Sequence, residues 1–339
     1  MVFLCGFMCN WFFCLWKKVG GEVVKLVSYQ RKKEITTVEN QVEWRAGLYV
    51  GKKVMDIADT VEGAPSTMQG LLNEWDKWYP CLLEQQLTEH KEMIPLEEIQ
   101  LGAPIPRPPS FRDFYAFEQH VKTCRKRRGL EMVPEWYQLP VFYFSNPAAF
   151  IGTEANITKP KQTKSLDYEL EIACVISKKG IDIPIERADE YIAGFMILND
   201  WSARDIQREE VKVGLGPAKA KDFATSTGPW LVTADELGGR MIPSSNGNRY
   251  DLQMTARING KQYSRGNFVD IYYTFAQMIA RASEACFLYP GDVIGSGTVG
   301  SGCLLELGGG EQYNWLQPGD VVELEIDHLG TLRNTIIGA

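Results

Sequence analysis

Histidine is scarce in this chain. Its 339 residues include only His90, His120 and His328, so a reaction that needs an imidazole base near neutral pH has few candidates. The eight cysteines, Cys5, Cys9, Cys14, Cys81, Cys124, Cys174, Cys286 and Cys303, contain no CxxC pair, and no histidine pair lies near them at zinc spacing. Scattered single cysteines suit a reducing cytoplasm, where most of them simply pack. There is no excess of positive charge: 36 Lys and Arg against 43 Asp and Glu leave a net charge of −7. No basic stripe of the kind that binds nucleic acid is present. There is no internal repeat, and GLGPAKAK lacks the spacing of a phosphate-binding loop.

Long apolar runs are also missing, with one exception. Residues 1–16, MVFLCGFMCNWFFCLW, are almost wholly apolar and are followed by Lys17 and Lys18. A secretory signal has its positive charge before the apolar run and a small-residue cleavage site after it. A membrane helix needs roughly 20 residues. This segment fits neither, which leaves a short membrane anchor as one reading. The other reading is that residues 1–23 are not part of the native chain. In a bacterial gene Gly20-Gly21-Glu22 is what GGAGGTGAA encodes, a ribosome-binding sequence, and Val24 then corresponds to a GTG start codon. The intact mass of the native protein distinguishes the two.

The rest has the profile of a globular protein, 45% apolar and 23% charged, and is long enough for one large domain or two ordinary ones. Residues 25–59 alternate short β-rich runs, KLVSYQ, WRAGLYV and KKVMDIAD, with polar turns. Met68, Leu71, Leu72, Trp75, Trp78, Leu82 and Leu83 recur at helical spacing, with Ser66 and Thr67 placed to cap. The Pro-rich IPLEEIQLGAPIPRPPS reads as a linker. Beyond it LPVFYF, YELEIACVIS, AGFMILND, PWLVTA, DLQMTARING, DVIGSGTV and VVELEID read as strands. Helical patterns fall near 111–124, 187–193, 202–210 and 274–285. The expectation is a mixed α/β, mainly β chain: a small N-terminal β-rich domain over 24–100 and a larger domain over 101–339.

The chemistry concentrates in three stretches. In LDYELEIACVIS, strand periodicity puts Glu169 and Glu171 on one face with Asp167 beside them, while Leu170, Ile172, Cys174 and Ile176 fill the other. Adjacent buried carboxylates repel, and a hard divalent cation removes that cost. AGFMILND ends its apolar run at Asp200. WSARDIQ then opens a helix, with Ser202 as its expected N-cap and with Arg204 and Gln207 on one face. FRDFYAFEQHVKT leads through Asp113, Phe114 and Tyr115 into a helix carrying His120.

Together LDYELEIA, MILNDWSARDIQ and AKDFATSTGPWLV resemble the signature of the fumarylacetoacetate hydrolase superfamily, over roughly residues 105–335. The resemblance implies a β-sandwich or roll catalytic domain and a metal held by Glu169, Glu171 and Asp200. Within the family it leans toward the fumarylacetoacetase branch, which implies Asp113 as a fourth ligand. It also implies His120 as general base, Glu306 as the acid that orients it, Tyr115, Tyr143 and Thr298 as substrate contacts, and Arg204, Gln207 and Lys221 as donors to the developing anion. An arginine that binds substrate falls among Arg125, Arg127 and Arg128. The C-terminal QPGDVVELEIDHLGTLRNTI is closer to the isomerase, hydratase and decarboxylase relatives. The implied activity is hydrolysis of a C–C bond in a small 1,3-diketo acid, dependent on Mg²⁺ or Ca²⁺, with Mn²⁺ also accommodated, by a cytoplasmic homodimer with no nucleic-acid or membrane partner. The alternatives are a decarboxylase, isomerase or hydratase of the same superfamily, and a catalytically silent binding protein of the same fold.

Overall fold

The computed structural model describes residues 24–35, 43–86 and 92–339. The apolar N-terminal segment and His90 lie outside the described residues.

The three short alternating runs form an antiparallel meander, β1 (Lys25–Arg31), β2 (Arg45–Val50) and β3 (Lys53–Asp56). Gly51 and Lys52 connect β2 to β3, both with positive φ, as a two-residue hairpin turn requires. The helical pattern becomes α1 (Met68–Asn73) and α2 (Trp75–Gln86). The Thr67 hydroxyl accepts the Gly70 N–H at the start of α1, a cap worth about 1 kcal/mol.

The remaining elements that matter for the site are β4 (Phe111–Phe114), α3 (Glu118–Arg127), β5 (Phe142–Phe144), β6 (Leu170–Ile176), β7 (Ile192–Asp200), α4 (Arg204–Glu210), β8 (Thr225–Thr233), β9 (Gln253–Ile258), β10 (Lys261–Asn267), α5 (Phe275–Ser283), β11 (Val293–Gly295), the single-turn α6 (Leu304–Leu307), β12 (Val321–Ile326) and β13 (Gly330–Ile337). One sheet runs from Ile94–Pro95 through β3, β2, β1, β8, β7, β6, β11, β4 and β5. β1 joins it by antiparallel pairing with β8, Lys25 opposite Val232 and Leu26 opposite Leu231. Residues 24–100 and the rest of the chain therefore share this sheet. A second sheet runs β10, β9, β12, β13 and Asn156–Thr158.

The two sheets and the helices bury both faces of β6 and β7. On one side Ile172, Cys174 and Ile176 pack with Phe195 and Ile197 against Met254, Leu324 and the α5 residues Phe275, Met278 and Ile279. On the other, Ala173, Val175, Met196 and Leu198 pack against Leu26, Leu48, Met55, Leu71 and Leu72. A strand buried on both faces reads as a continuous apolar run, as Ile192–Leu198 does. The mixed, mainly β architecture matches the expectation.

Several local expectations are corrected. Residues 111–114 are strand, not helix: β4 pairs in parallel with β11 and antiparallel with β5, and the helix starts only at Glu118. Ser202 does not cap α4. Leu166–Asp167 pairs with Ser202–Ala203, and the Ser202 hydroxyl donates to the Asp200 carbonyl at 3.0 Å, so the helix begins at Arg204 with no side-chain cap. Both outcomes follow from backbone partners remote in sequence, which supply hydrogen bonds that local propensity does not anticipate.

Candidate active site

β6 and β7 are antiparallel with Leu170 opposite Asn199, so β6 begins where β7 ends. Strand periodicity then assigns the faces. Glu171 shares the face of Ala173 and Val175, Asp200 that of Met196 and Leu198, and Asp113 that of Phe111, all on the side packed against the N-terminal elements. Asp113, Glu171 and Asp200 are buried, and each places a carboxylate oxygen within 4.8 Å of the others'. β11 lies between β6 and β4, with Gly295 opposite both Ala173 and Asp113. A Cβ at Gly295 would come within 2.3 Å of Asp113 Oδ1. Two residues on, Gly297 has a φ of 75° and donates its N–H to that same oxygen at 3.2 Å.

The neighbours of the three acids leave them unevenly served. The Tyr143 hydroxyl donates to Asp113 Oδ2 at 3.0 Å and also to Asp200. The Thr298 hydroxyl donates to Glu171 Oε1 at 3.3 Å. The Lys221 ammonium bridges Asp200 Oδ2, at 2.5 Å, and Glu169 Oε2. Glu171 Oε2 and Asp200 Oδ1 are buried with no hydrogen-bond partner. Burial, followed by the charge of Asp200, pushes the Asp113 carboxyl up to about 8. Burial and then Asp113 push Glu171 well above the carboxylate range, and burial raises Asp200. Stranded oxygens and mutually repelling carboxyls fit a hard divalent cation, and an oxygen-only donor set suits Mg²⁺, Ca²⁺ or Mn²⁺.

Glu169, expected among the ligands, lines the same cavity as Asp113 and Glu171 and shares the Lys221 ammonium with Asp200. Its Oε1 accepts from Arg204 Nη2 at 2.7 Å and its Oε2 from Lys221. Burial opposes its charge, but Lys221 and then Arg204 outweigh burial and hold the carboxyl well below the usual range. Asp167 is not beside Glu169 and Glu171 in the cluster. The chain leaves the strand at Tyr168–Glu169, and Asp167 turns to Arg204 Nε at 2.9 Å and to the Leu304 and Leu305 N–H groups at 2.8 and 3.0 Å. Those amides open α6. Arg204 also donates to Gln207 Oε1 at 3.1 Å, the same-face pairing expected on α4.

α6 carries Glu306, and α3 carries His120. Glu306 Oε1 accepts from His120 Nδ1, and Glu306 Oε2 accepts the Ser301 N–H at 2.8 Å. Burial works against a charge on His120, but the Glu306 carboxylate together with Cys303 and Tyr115 outweighs it, so the imidazole pKa is raised well above its ordinary value. The Tyr115 ring meets the imidazole edge-on, centroids 5.4 Å apart.

A cavity of about 630 Å³ joins the parts. Ten of the twelve expected site residues line it, namely Asp113, Tyr115, His120, Tyr143, Glu169, Glu171, Arg204, Gln207, Lys221 and Thr298. Asp200 and Glu306 stand behind it, reached through Lys221 and His120. Arg127 and Arg128 also line it, whereas Arg125 turns to the Glu131 carbonyl at 2.5 Å. Sequence reasoning missed four contributors. Gly295 makes room for Asp113, and Asp167, expected only as a third acid on that face, in fact anchors both Arg204 and α6. Cys124 and Cys303 flank the histidine pair. Only Cys124 left a local signal, four residues after His120 and so on the same face of α3.

Residues 110–337, more than half of the chain, match the family described as Fumarylacetoacetate (FAA) hydrolase C-terminal. The chain belongs to the fumarylacetoacetate hydrolase family. Curated fumarylacetoacetases from Arabidopsis thaliana (30% identical, 72% of this chain and 68% of the relative) and Aspergillus fumigatus (32%, 74% and 72%) are among its relatives. Another, from Oryza sativa subsp. japonica, is 30% identical over 72% of this chain, which spans 66% of that relative's length. Among solved structures of the family's fold is a protein from Mycobacterium abscessus named as a probable 2-hydroxyhepta-2,4-diene-1,7-dioate isomerase, 26% identical, TM-score 0.68, covering 94% of this chain and 99% of that one. A maleylpyruvate hydrolase from Sphingobium sp. SYK-6 in complex with manganese(II) ion and pyruvate is 20% identical with a TM-score of 0.67, covers 93% and 99%, and supports the fold. Among the described residues no helix is long and apolar enough to cross a membrane.

Proposed function

We propose that this chain is a divalent-cation-dependent hydrolase that cuts a carbon–carbon bond in a 1,3-diketo acid of the fumarylacetoacetate or acylpyruvate kind. The observation that carries the reading is the buried His120–Glu306 pair, whose imidazole opens onto the same cavity as the Asp113–Glu171–Asp200 cluster.

In this reaction water adds to one carbonyl, the bond to the neighbouring carbon breaks, and the electron pair leaves on an enolate. The barrier lies in the negative charge that develops on oxygen. A divalent cation held by Asp113, Glu169, Glu171 and Asp200 would supply Lewis acidity toward the diketo oxygens. His120 takes the proton from water at Nε2. Its Nδ1–H is given to Glu306, which fixes the tautomer with Nε2 as acceptor and stabilises the imidazolium that forms. Gln207 accepts Arg204 on its carbonyl oxygen, which leaves its amide N–H groups as donors to substrate. With Arg204 and Lys221 they face the anionic oxygens, each donor worth roughly 2.7–4 kcal/mol of barrier. Tyr143 and Thr298 hold the acids in place, Tyr115 contacts substrate, and Arg127 and Arg128 at the rim take a substrate carboxylate.

Isomerisation or decarboxylation of a 2-oxo acid uses a cation and an enolate but no activated water. The histidine pair is what favours hydrolysis. The test is a panel of diketo acids and 2-oxo acids assayed with Mg²⁺, Mn²⁺ and Ca²⁺, with products resolved by mass. Two acid fragments from a diketo acid are expected. Turnover confined to isomerised or decarboxylated 2-oxo acids would overturn hydrolysis, and no turnover of any substrate would favour a binding protein.

A further inference from the structure

Glu306 is carried by α6, a single helical turn whose N-cap residue, Cys303, makes no side-chain cap bond. One turn does not hold itself, because the first turn of a helix fixes several residues for a single hydrogen bond. The partner of His120 therefore stands where something else fixes α6. That group comes from 137 residues earlier in the chain. Asp167 Oδ1 accepts the Leu304 N–H at 2.8 Å, and Oδ2 accepts the Leu305 N–H at 3.0 Å. Oδ2 also accepts Arg204 Nε at 2.9 Å. Arg204 directs its other two nitrogens to Glu169 and to the Gln207 carbonyl oxygen. Asp167 is fully buried and does not line the cavity. Its backbone is pinned in turn: Asp167 pairs with Ser202 just ahead of α4, and Leu166 bridges to Leu316 beyond α6.

We propose that Asp167 is a positioning residue that yokes the anion donors Arg204 and Gln207 on α4 to the His120–Glu306 pair, so that one buried carboxylate orients both halves of the site. The proposal rests on the roles given above to those four residues. A carboxylate is what the place requires. Three donors converge on it, and an amide of the same shape would turn its own N–H groups toward at least one of them. Arg127 also grips α6, donating to the Glu306 carbonyl at 3.1 and 3.2 Å, but it is partly exposed. Asp167 acts in the interior, where a hydrogen bond is electrostatically stronger.

Releasing α6 takes Glu306 and Cys303 away from the imidazole together, and both raise its pKa. Tyr115, ahead of α3, and Cys124, on α3, stay beside the ring, and Glu169 faces its charge from the foot of β6. With less to oppose burial, the imidazole pKa falls. On α4 the same loss leaves Arg204 Nε without its acceptor, so the guanidinium plane and the Gln207 amide it aligns are no longer fixed.

The test compares Asp167→Asn and Leu304→Pro with the parent, each as the full chain in excess Mg²⁺. Leu304→Pro takes one N–H from Asp167 and keeps every charge. Proline suits the first position of a helix, and Cys303 before it is already extended, with φ −147° and ψ 160°. The readout is nuclear magnetic resonance of the histidines, of which the chain has three. His120→Ala assigns the signal, and His90 and His328 serve as controls. In the parent the Nδ1–H bonded to Glu306 should give a strongly downfield proton. Both variants should lose that proton, and their imidazole should titrate about one unit or more lower, a tenfold loss of proton affinity. Turnover should fall about 10²-fold, as a misplacement of about 1 Å can cause, with KM near the parent's. A folded variant that keeps the downfield proton would overturn the yoke, even with a shifted titration, since Asp167 would then act by charge alone. If Asp167→Asn does not fold, Leu304→Pro decides. The proton is read without substrate. A parent that shows it, loses it in the variants and hydrolyses nothing would sink the hydrolase reading while leaving Asp167 as the anchor of the pair.

Discussion

Asp113, Glu171 and Asp200 come from strands of one sheet, whereas His120 and Glu306 come from two helices, one of them a single turn. The strands fix where the acids stand without satisfying them: two of their oxygens have no partner, and burial pushes their carboxyls upward. The helical pair is complete in itself. The imidazole has its carboxylate, and Glu306 has a backbone amide on its second oxygen. A rigid but unsatisfied cluster needs a charge from outside. A satisfied pair needs only to stay in place.

His120→Ala breaks this contrast most sharply. Turnover should fall by about 10²–10⁴-fold, while the rise in melting temperature on adding Mg²⁺ stays that of the parent. Loss of that rise would mean the two regions act as one unit. Next comes Lys221→Met, which leaves Asp200 and Glu169 buried without their ammonium. The metal-free protein should lose about 3–5 kcal/mol in urea unfolding under chelator, and saturating Mg²⁺ should recover part of it. Equal losses with and without Mg²⁺ would show that Lys221 and the cation answer different charges. Third, Mg²⁺ at about 100 times its Kd should stabilise the wild type by about 2.7 kcal/mol, and Glu171→Gln should reduce the gain. The smallest effect is a displacement along the pH axis. The active form of His120 is neutral and its pKa is raised, so kcat/KM should fall as pH drops through a value above the usual 6.5 or so. Glu306→Gln removes the negative charge and should move that limb to lower pH. The stability contribution has the opposite sense: fully present below the ordinary imidazole pKa, it is lost as pH rises through the folded one. The pair is therefore firmest where it is least active, which a pH series of denaturation midpoints would check.

The contrast also explains what the sequence could disclose. Strand acids follow a period of two, and AGFMILND ending in Asp200 marks both the buried strand and the point where it meets the site. Even so, the period failed at Tyr168–Glu169, where Asp167 left the strand for amides some 137 residues ahead. Glu306 sits in LLEL, four residues too few to tell a strand from one helical turn, and α6 is held there by Asp167. Residues 111–114 looked like the beginning of the His120 helix because the strand that claims them, β11, is only three residues long and lies far ahead in the chain. Composition and spacing reached the elements that stand on their own periodicity. Those that exist because a distant backbone supplies partners were out of reach.

Gly295 makes the same lesson concrete. It touches no substrate and offers no ligand, yet the smallest side chain there would be driven into Asp113. Replacing it by alanine would keep every acid in the chain while forcing Asp113 Oδ1 from its place. A cation site that includes Asp113 would thus register a change at a residue that gives it no oxygen.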